Sequence, residues 1–225
     1  QKGVVVADIN IDEQRMAASL IKPFVMAAVY DKLSHRHVST RKRDLLERDI
    51  RLSIQHSDNN ATNRLIDFVG SPAAVQAYLA RTGLFSETKV VEKIPAQGRT
   101  YRNKTSAHDL NILLNQIYRG TIVSPSLSRR MLSILGGYTT SRVGRILGQL
   151  AGVDGLAGKT GVVYGMNGEA TIMFYRNMAD QQRPFIFTAF FEDVTKPRSS
   201  HRDHSWDKTR SEMIRTVAKL AVGYY

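Results

Sequence analysis

The sequence predicts an α+β fold: an antiparallel sheet carrying a terminal helix, with an all-helical lobe inserted. Three observations predict it. Apolar residues recur at helical spacing through the middle of the chain, three strand-like runs follow from Leu156 onward, and an amphipathic stretch closes the sequence. A single domain over 1–225 is expected, with an α/β lobe of about 1–18 and 156–225 and a helical lobe of about 19–155. The cleft between the lobes is the default site.

The elements follow in order. "GVVVADI" (3–9) is β-branched and bounded by Gly3, so it reads as a strand, and Arg15 to Ala18 as a second short one. The apolar run 19–33 reads as a buried helix, with shorter helical patterns over 43–55, 58–69, 72–82, 107–119, 126–135 and 140–150. Ser57 and Asp58 give a start signal for the 58–69 helix, and Gly70 stops it. Ser71 caps the next, with Pro72 at its first position and Gly83 past its end. "LAGKTGVVYG", "GEATIMFYR" and "RPFIFTAFFED" are rich in β-branched and aromatic residues. Gly165–Gly168 and Asn177–Arg183 are turn material between them. The closing helix, about Ser205 to Val222, is expected to bury Trp206, Met213, Ile214, Val217 and Leu220 on one face.

Composition narrows the function classes. With 42% hydrophobic and 23% charged residues the chain has material for a sizeable core. No apolar stretch is long enough to span a membrane. No basic segment followed by an apolar one opens the chain at Gln1, so an export signal is expected to be absent from it. There is no cysteine, which excludes disulfides and thiolate chemistry. Lys plus Arg outnumber Asp plus Glu by 32 to 20, for a net charge of +12. The charges are spread along the chain, and the densest run, "SHRHVSTRKRDLLERD" (34–49), is broken by acids. A solvated surface is the expectation, and nucleic-acid binding the weakest alternative.

"AASLIKPFVMAAVY" (17–30) places a hydroxyl and an amine, Ser19 and Lys22, in an apolar run. The Pro23 ring crowds the carbonyl four residues back, which is tolerable only if Ser19 stands at the helix start. Backbone N–H groups point outward there and favour negative charge. Lys22, three residues on, rises on the same face. Desolvation by its apolar neighbours would lower the amine pKa, so that it could take the hydroxyl proton and make Ser19 a nucleophile. A lysine snorkelling beside a capping serine is the plainer reading of this pair alone.

Two further motifs follow: Ser57-Asp58-Asn59 at the head of a helix, and Lys159-Thr160-Gly161 opening the first late strand. Together, in this order, they form the S-x-x-K, S-D-N, K-T-G set of the penicillin-recognising serine enzymes. The chain resembles class A β-lactamases and penicillin-binding proteins over nearly its whole length. "IQHSDNNATNRLIDFVGSPAAVQAYLARTG", "NKTSAHDL" and "KTGVVYGMNGEATIMFY" carry the likeness, while the family's N-terminal helix is not found before Val4. The resemblance implies that Ser19 is acylated and that Lys22 is general base or proton relay. Ser57 would pass a proton to the leaving nitrogen, supported by Lys159. Asn59 would bind the substrate's side-chain amide. Thr160, Gly161 and Val162 would hold the substrate carboxylate, and the N–H groups of Ser19 and Val162 would form the oxyanion hole. It implies no metal or cofactor, a β-lactam or peptidoglycan stem-peptide substrate, a monomer, and a bacterial periplasmic or extracellular location.

The pattern departs from class A β-lactamases where these place an Ω-loop glutamate in E-x-x-x-N to activate the deacylating water. In "LFSETKVVEKIPAQGRTYRNKTS", Glu87 falls near the glutamate position and Val91 where the asparagine would be; Glu92 is a second candidate. "TKVVEKIP" alternates like a strand. The expectation is therefore a penicillin-acylated, DD-peptidase-like enzyme. The alternatives are a β-lactamase using Glu87 and a non-catalytic module that binds cell-wall fragments.

Overall fold

The computed structural model describes residues 5, 7–95, 102–176, 182–193, 195 and 204–223. Strand β1 (Arg15–Met16) leads into a 3₁₀ turn (Ala18–Ile21) and helices α1 (Lys22–His35), α2 (Thr40–Gln55), α3 (Asn59–Val69) and α4 (Pro72–Thr82). Strand β2 (Lys104–Thr105) precedes α5 (Ala107–Arg119), α6 (Pro125–Gly136) and a 3₁₀ segment (Val143–Gln149). Strands β3 (Val153–Val163), β4 (Met166–Arg176) and β5 (Gln182–Glu192) and helix α7 (His204–Gly223) complete the chain. This is the α+β architecture the sequence predicts.

The helix punctuation follows from side chains able to accept a backbone N–H. Asp58 accepts from Ala61 N at the head of α3, and Ser71 from Ala74 N at the head of α4, with Pro72 harmless in the first turn. Gly83 ends α4 at φ +66°, where a side chain would be strained. The predicted 19–33 helix is two pieces: a 3₁₀ turn, then α1, with Lys22 N donating to Ser19 O across the junction. Pro23 falls in the first turn of α1, where its missing N–H costs no ladder bond. The predicted helix over 140–150 is 3₁₀ over Val143–Gln149.

Strands β3, β4 and β5 form an antiparallel sheet with β4 central. The β3–β4 turn is tighter than predicted: Val163 pairs with Met166 around two residues, Gly165 taking φ +80°. Strand β1 pairs instead with β2, so the helical lobe includes a short ladder and is not wholly helical. The predicted strand over 3–9 falls partly outside the described residues, and Val5, Ala7, Asp8 and Ile9 carry none. The predicted turn over Asn177–Arg183 lies largely outside them too.

Alternation along the strands sends side chains to both faces of the sheet. Ala157, Ala170 and Ile172 join the larger core with α1, α3, α4, α5 and α6. Met173 and Phe187 face a second cluster with Val143, Ile146, Ile214 and Ala218. Helix α7 is turned from its predicted orientation. Ile214, Ala218 and Asp207 are buried, while Met213, Val217 and Leu220 are exposed, a stripe roughly 100° round the helix. Small residues, Ser211 and Ala218, sit on the buried side, where bulky Met173 and Phe187 fill the space from the sheet. Among the described residues no helix is long and apolar enough to cross a membrane.

Candidate active site

The site forms where the Ser19 turn, the head of α3 and strand β3 meet. In a 3₁₀ turn side chains three apart lie nearly in line, so Ser19 and Lys22 project together. Ala18, just before the serine, has φ +43°, a strained conformation for a residue with a Cβ. Ser57 also has positive φ, +59°, and Lys22 Nζ donates to its carbonyl at 2.5 Å. Gly161 lets β3 lie against the turn: a Cβ there would stand 2.8 Å from Leu20 Cγ and 3.1 Å from Ala17 O.

Ser57 is the hub. Its hydroxyl donates to Ser19 Oγ at 3.0 Å and accepts from Lys22 Nζ at 3.2 Å and Lys159 Nζ at 3.1 Å. Lys22 Nζ also donates to Asn59 Oδ1 at 2.8 Å, and Lys159 Nζ to Thr160 O at 3.0 Å. Both lysines are 1% exposed. Lys22 makes no direct hydrogen bond to Ser19; the connection runs through Ser57. That is a difference from the direct proton transfer the spacing suggests.

Burial pulls the Lys22 amine down to about 7, against the raising effect of the Asp58 carboxylate. Burial also pulls Lys159 well below the usual range, helped by the positive charges of Lys22 and Arg142 and opposed by Glu169. Two buried ammonium groups donating to one hydroxyl repel each other. That repulsion adds to burial in favouring loss of a proton from the pair.

A cavity of about 400 Å³ opens over this cluster. Of the residues the sequence singled out, Ser19, Ser57, Thr160 and Val162 line it; Asn59 and Gly161 do not, and the buried Lys22 and Lys159 reach it through Ser57. The remaining wall escaped sequence reasoning: Thr139, Thr140, Arg142 and Arg145 from the segment after α6, and Ser211 and Arg215 from α7. The polar run "TTSR" (139–142), between α6 and the third motif, held the available signal.

Glu169, also missed, holds that segment in place. It is fully buried on β4, opposite Thr160 in register. Its carboxylate accepts from Tyr138 OH at 2.9 Å, Ser141 Oγ at 2.6 Å, Arg142 N at 2.8 Å and Val143 N at 3.3 Å. Thr140 Oγ1 then meets Thr160 Oγ1 at 2.6 Å. An acid inside the apolar run "GEATIMFY" was its only mark in the sequence.

The two candidate deacylating acids lie off the cavity wall. The backbone from 87 to 94 is pinned by side chains. Asp109 takes Glu87 N, Gln76 takes Val90 N, Asn103 takes Val91 N and Glu92 N, and Asn63 takes Ile94 N. One bridge, Lys89 to Lys104, is the only ladder there among the described residues. The alternation that reads as a strand reflects burial of Thr88, Val90 and Ile94, with side-chain amides replacing a strand partner. Val91 is 46% exposed. Glu92 accepts from Arg102 N, whereas the Glu87 carboxylate forms no hydrogen bond or ion pair among the described residues.

The model of a β-lactamase enzyme family matches residues 38–225, and the chain belongs to that family. Ser19 and Lys22 precede the matched residues, so their proximity to the other motifs is known from the geometry. None of the curated proteins matches the chain. Among solved structures, a β-lactamase from Sphaerobacter thermophilus shares 24% identity, covering 96% of this chain and 87% of that one, with a TM-score of 0.72. PBP-A, as a point mutant in an acyl-enzyme complex with penicillin G, shares 24% identity over 95% and 85%, with a TM-score of 0.69. A point mutant of the class A β-lactamase of the last common ancestor of Gram-negative bacteria shares 19% over 93% and 86%, at 0.73. At these identities the likeness shows the fold.

Proposed function

We propose that the chain is a serine acyl-transfer enzyme, acylated by β-lactams and acting on D-alanyl-D-alanine-type peptides of peptidoglycan outside the cytoplasm. The observation that carries this is the hydrogen-bonded line Lys22–Ser57–Ser19, ending at the cavity wall. A groove that merely bound cell-wall fragments would need neither buried lysine.

In this reading Lys22 is neutral and both hydroxyls turn, so that Ser19 donates to Ser57 and Ser57 to Lys22. The Ser19 proton then passes to Ser57 Oγ, the Ser57 proton to Lys22, and Ser19 Oγ attacks the carbonyl carbon. The N–H groups of Ser19 and Val162 receive the developing oxyanion. Lys22 returns the proton through Ser57 to the leaving nitrogen, the C–N bond breaks, and acyl-Ser19 remains. The substrate carboxylate, held by Thr160, Thr140 and Arg142, favours the charged form of Lys159, and that charge favours neutral Lys22 as the base. Asn59, whose amide N–H groups are unengaged among the described residues, binds the acyl-side amide.

Deacylation separates this reading from a β-lactamase. The position off the cavity of Glu87 and Glu92, with Val91 turned outward, supports a slow step. The unengaged Glu87 carboxylate is the one feature that favours efficient β-lactam hydrolysis. The test of the nucleophile is covalent labelling by a fluorescent penicillin: Ser19→Ala abolishes it, and undiminished labelling of that variant would overturn the assignment.

A further inference from the structure

Three arginines, Arg142, Arg145 and Arg215, share the cavity with Ser19 and Thr160. A single carboxylate is served by one bidentate guanidinium and a pair of hydroxyls. Arg142 with Thr140 and Thr160 already makes that set. Arg142 is largely buried, donating through Nε to Ser211 Oγ and through Nη1 to Gly168 O, so it is fixed in the wall. Arg145 is exposed, and its side chain has no hydrogen bond or ion pair among the described residues. Arg215 meets Glu212 at 4.0 Å, and that glutamate's side chain is 53% exposed, a pair of little worth. The acid beneath this wall, Glu169, has both oxygens engaged by the 138–143 segment. Arg145 and Arg215 therefore bring positive charge to the cavity wall that, among the described residues, only the exposed Glu212 meets.

We infer that the cavity takes ligands with two anionic groups on the leaving-group side, the second met by Arg145 and Arg215. The assignment of that side rests on the proposed acyl-transfer reading. The ligand class is a peptide whose residue beyond the scissile bond carries a side-chain carboxylate as well as its terminal one, as in an acyl-D-alanyl-D-aspartate. Guanidinium groups suit this role because they stay charged and present paired donors to a carboxylate.

Calorimetric titration of the Ser19→Ala protein with acyl-D-alanyl-D-alanine and acyl-D-alanyl-D-aspartate tests the inference without requiring acylation. The dicarboxylate is expected to bind about tenfold tighter at low salt, with the advantage shrinking as ionic strength rises. Adding Arg145→Ala and Arg215→Ala should abolish the preference, and adding Arg145→Lys and Arg215→Lys should keep most of it. Equal affinities, binding of neither peptide, or a preference that survives both alanines overturns the inference. Failure of penicillin to label Ser19 in the unsubstituted protein would instead overturn the acyl-transfer reading, so the two can fail separately.

Discussion

Ser57 Oγ stands 3.0 Å from Ser19 Oγ and donates to it, while two buried lysines donate to Ser57 from the other side. The hydroxyl that would be activated and the amine that would activate it are thus joined through a third residue, from the connection between α2 and α3. In the proposed acylation, a proton leaving Ser19 would use the Ser57 hydroxyl as a stepping point.

Ser57→Ala is accordingly expected to slow acylation by about two to four orders of magnitude, the range for loss of a positioned proton-transfer group. Stopped-flow acylation by a chromogenic cephalosporin measures it. A loss below tenfold would mean that Lys22 reaches Ser19 without Ser57.

The lysines should differ in their response to arginine, which keeps charge but cannot serve as a base at neutral pH. Lys22→Arg is expected to cost far more in acylation rate than Lys159→Arg. Because the neutral Lys22 amine is the active form, acylation by the unsubstituted protein should rise with pH through about 7 and then level. Equal losses in the two variants, or a flat profile between pH 5.5 and 8.5, would contradict this division.

The same amine sets a pH dependence of stability. In the folded protein Lys22 loses its proton near 7, while in the unfolded chain it holds it to about 10.5. Between these values the unfolded state binds more protons, so stability rises with pH across that window, and the cost of burial is fully present below it. Lys22→Met should therefore stabilise the protein below pH 7 by up to a few kcal/mol, with the gain shrinking toward pH 10. Urea midpoints of both proteins at pH 6 and 9.5 check the sign; a constant gap would refute it.

Glu169→Gln keeps the shape but gives the 138–143 segment a weaker acceptor and one oxygen in place of two. Stability should fall by about 1–3 kcal/mol. With the loosened wall shifting Thr140 and Arg142, KM for carboxylate-bearing substrates should rise more than kcat falls. A fall in kcat with KM unchanged would show that Glu169 acts on the lysine pair rather than on the wall.

Much of this arrangement was legible in the sequence, for identifiable reasons. Capping residues such as Asp58 and Ser71 act within a few positions, so helix starts could be read directly. The three motifs marked Ser19, Lys22, Ser57 and Lys159, which the structure joins in one hydrogen-bonded cluster; the proposed proton transfer would restrict residue type at these positions. The placement of Arg142, Arg145 and Arg215 was not legible, since nothing local sets apart an arginine facing a cavity from one facing water. Nor was the turn of α7: its apolar stripe at Met213, Val217 and Leu220 is as periodic as the buried one. The pinning of 87–94 escaped as well, because Asp109, Gln76, Asn103 and Asn63 come from distant positions.

The central claim, acylation at Ser19 followed by slow release, is tested most directly by the intact mass of the protein after brief exposure to benzylpenicillin and removal of the excess. The account predicts a penicilloyl adduct, absent from Ser19→Ala, that persists because no described acid lines the cavity to activate water. Loss of a positioned water costs roughly 3–5 kcal/mol of barrier, which would stretch release by two to four orders of magnitude. An adduct that disappears within seconds, and that persists once Glu87→Ala is introduced, would contradict the account and make the chain a β-lactamase.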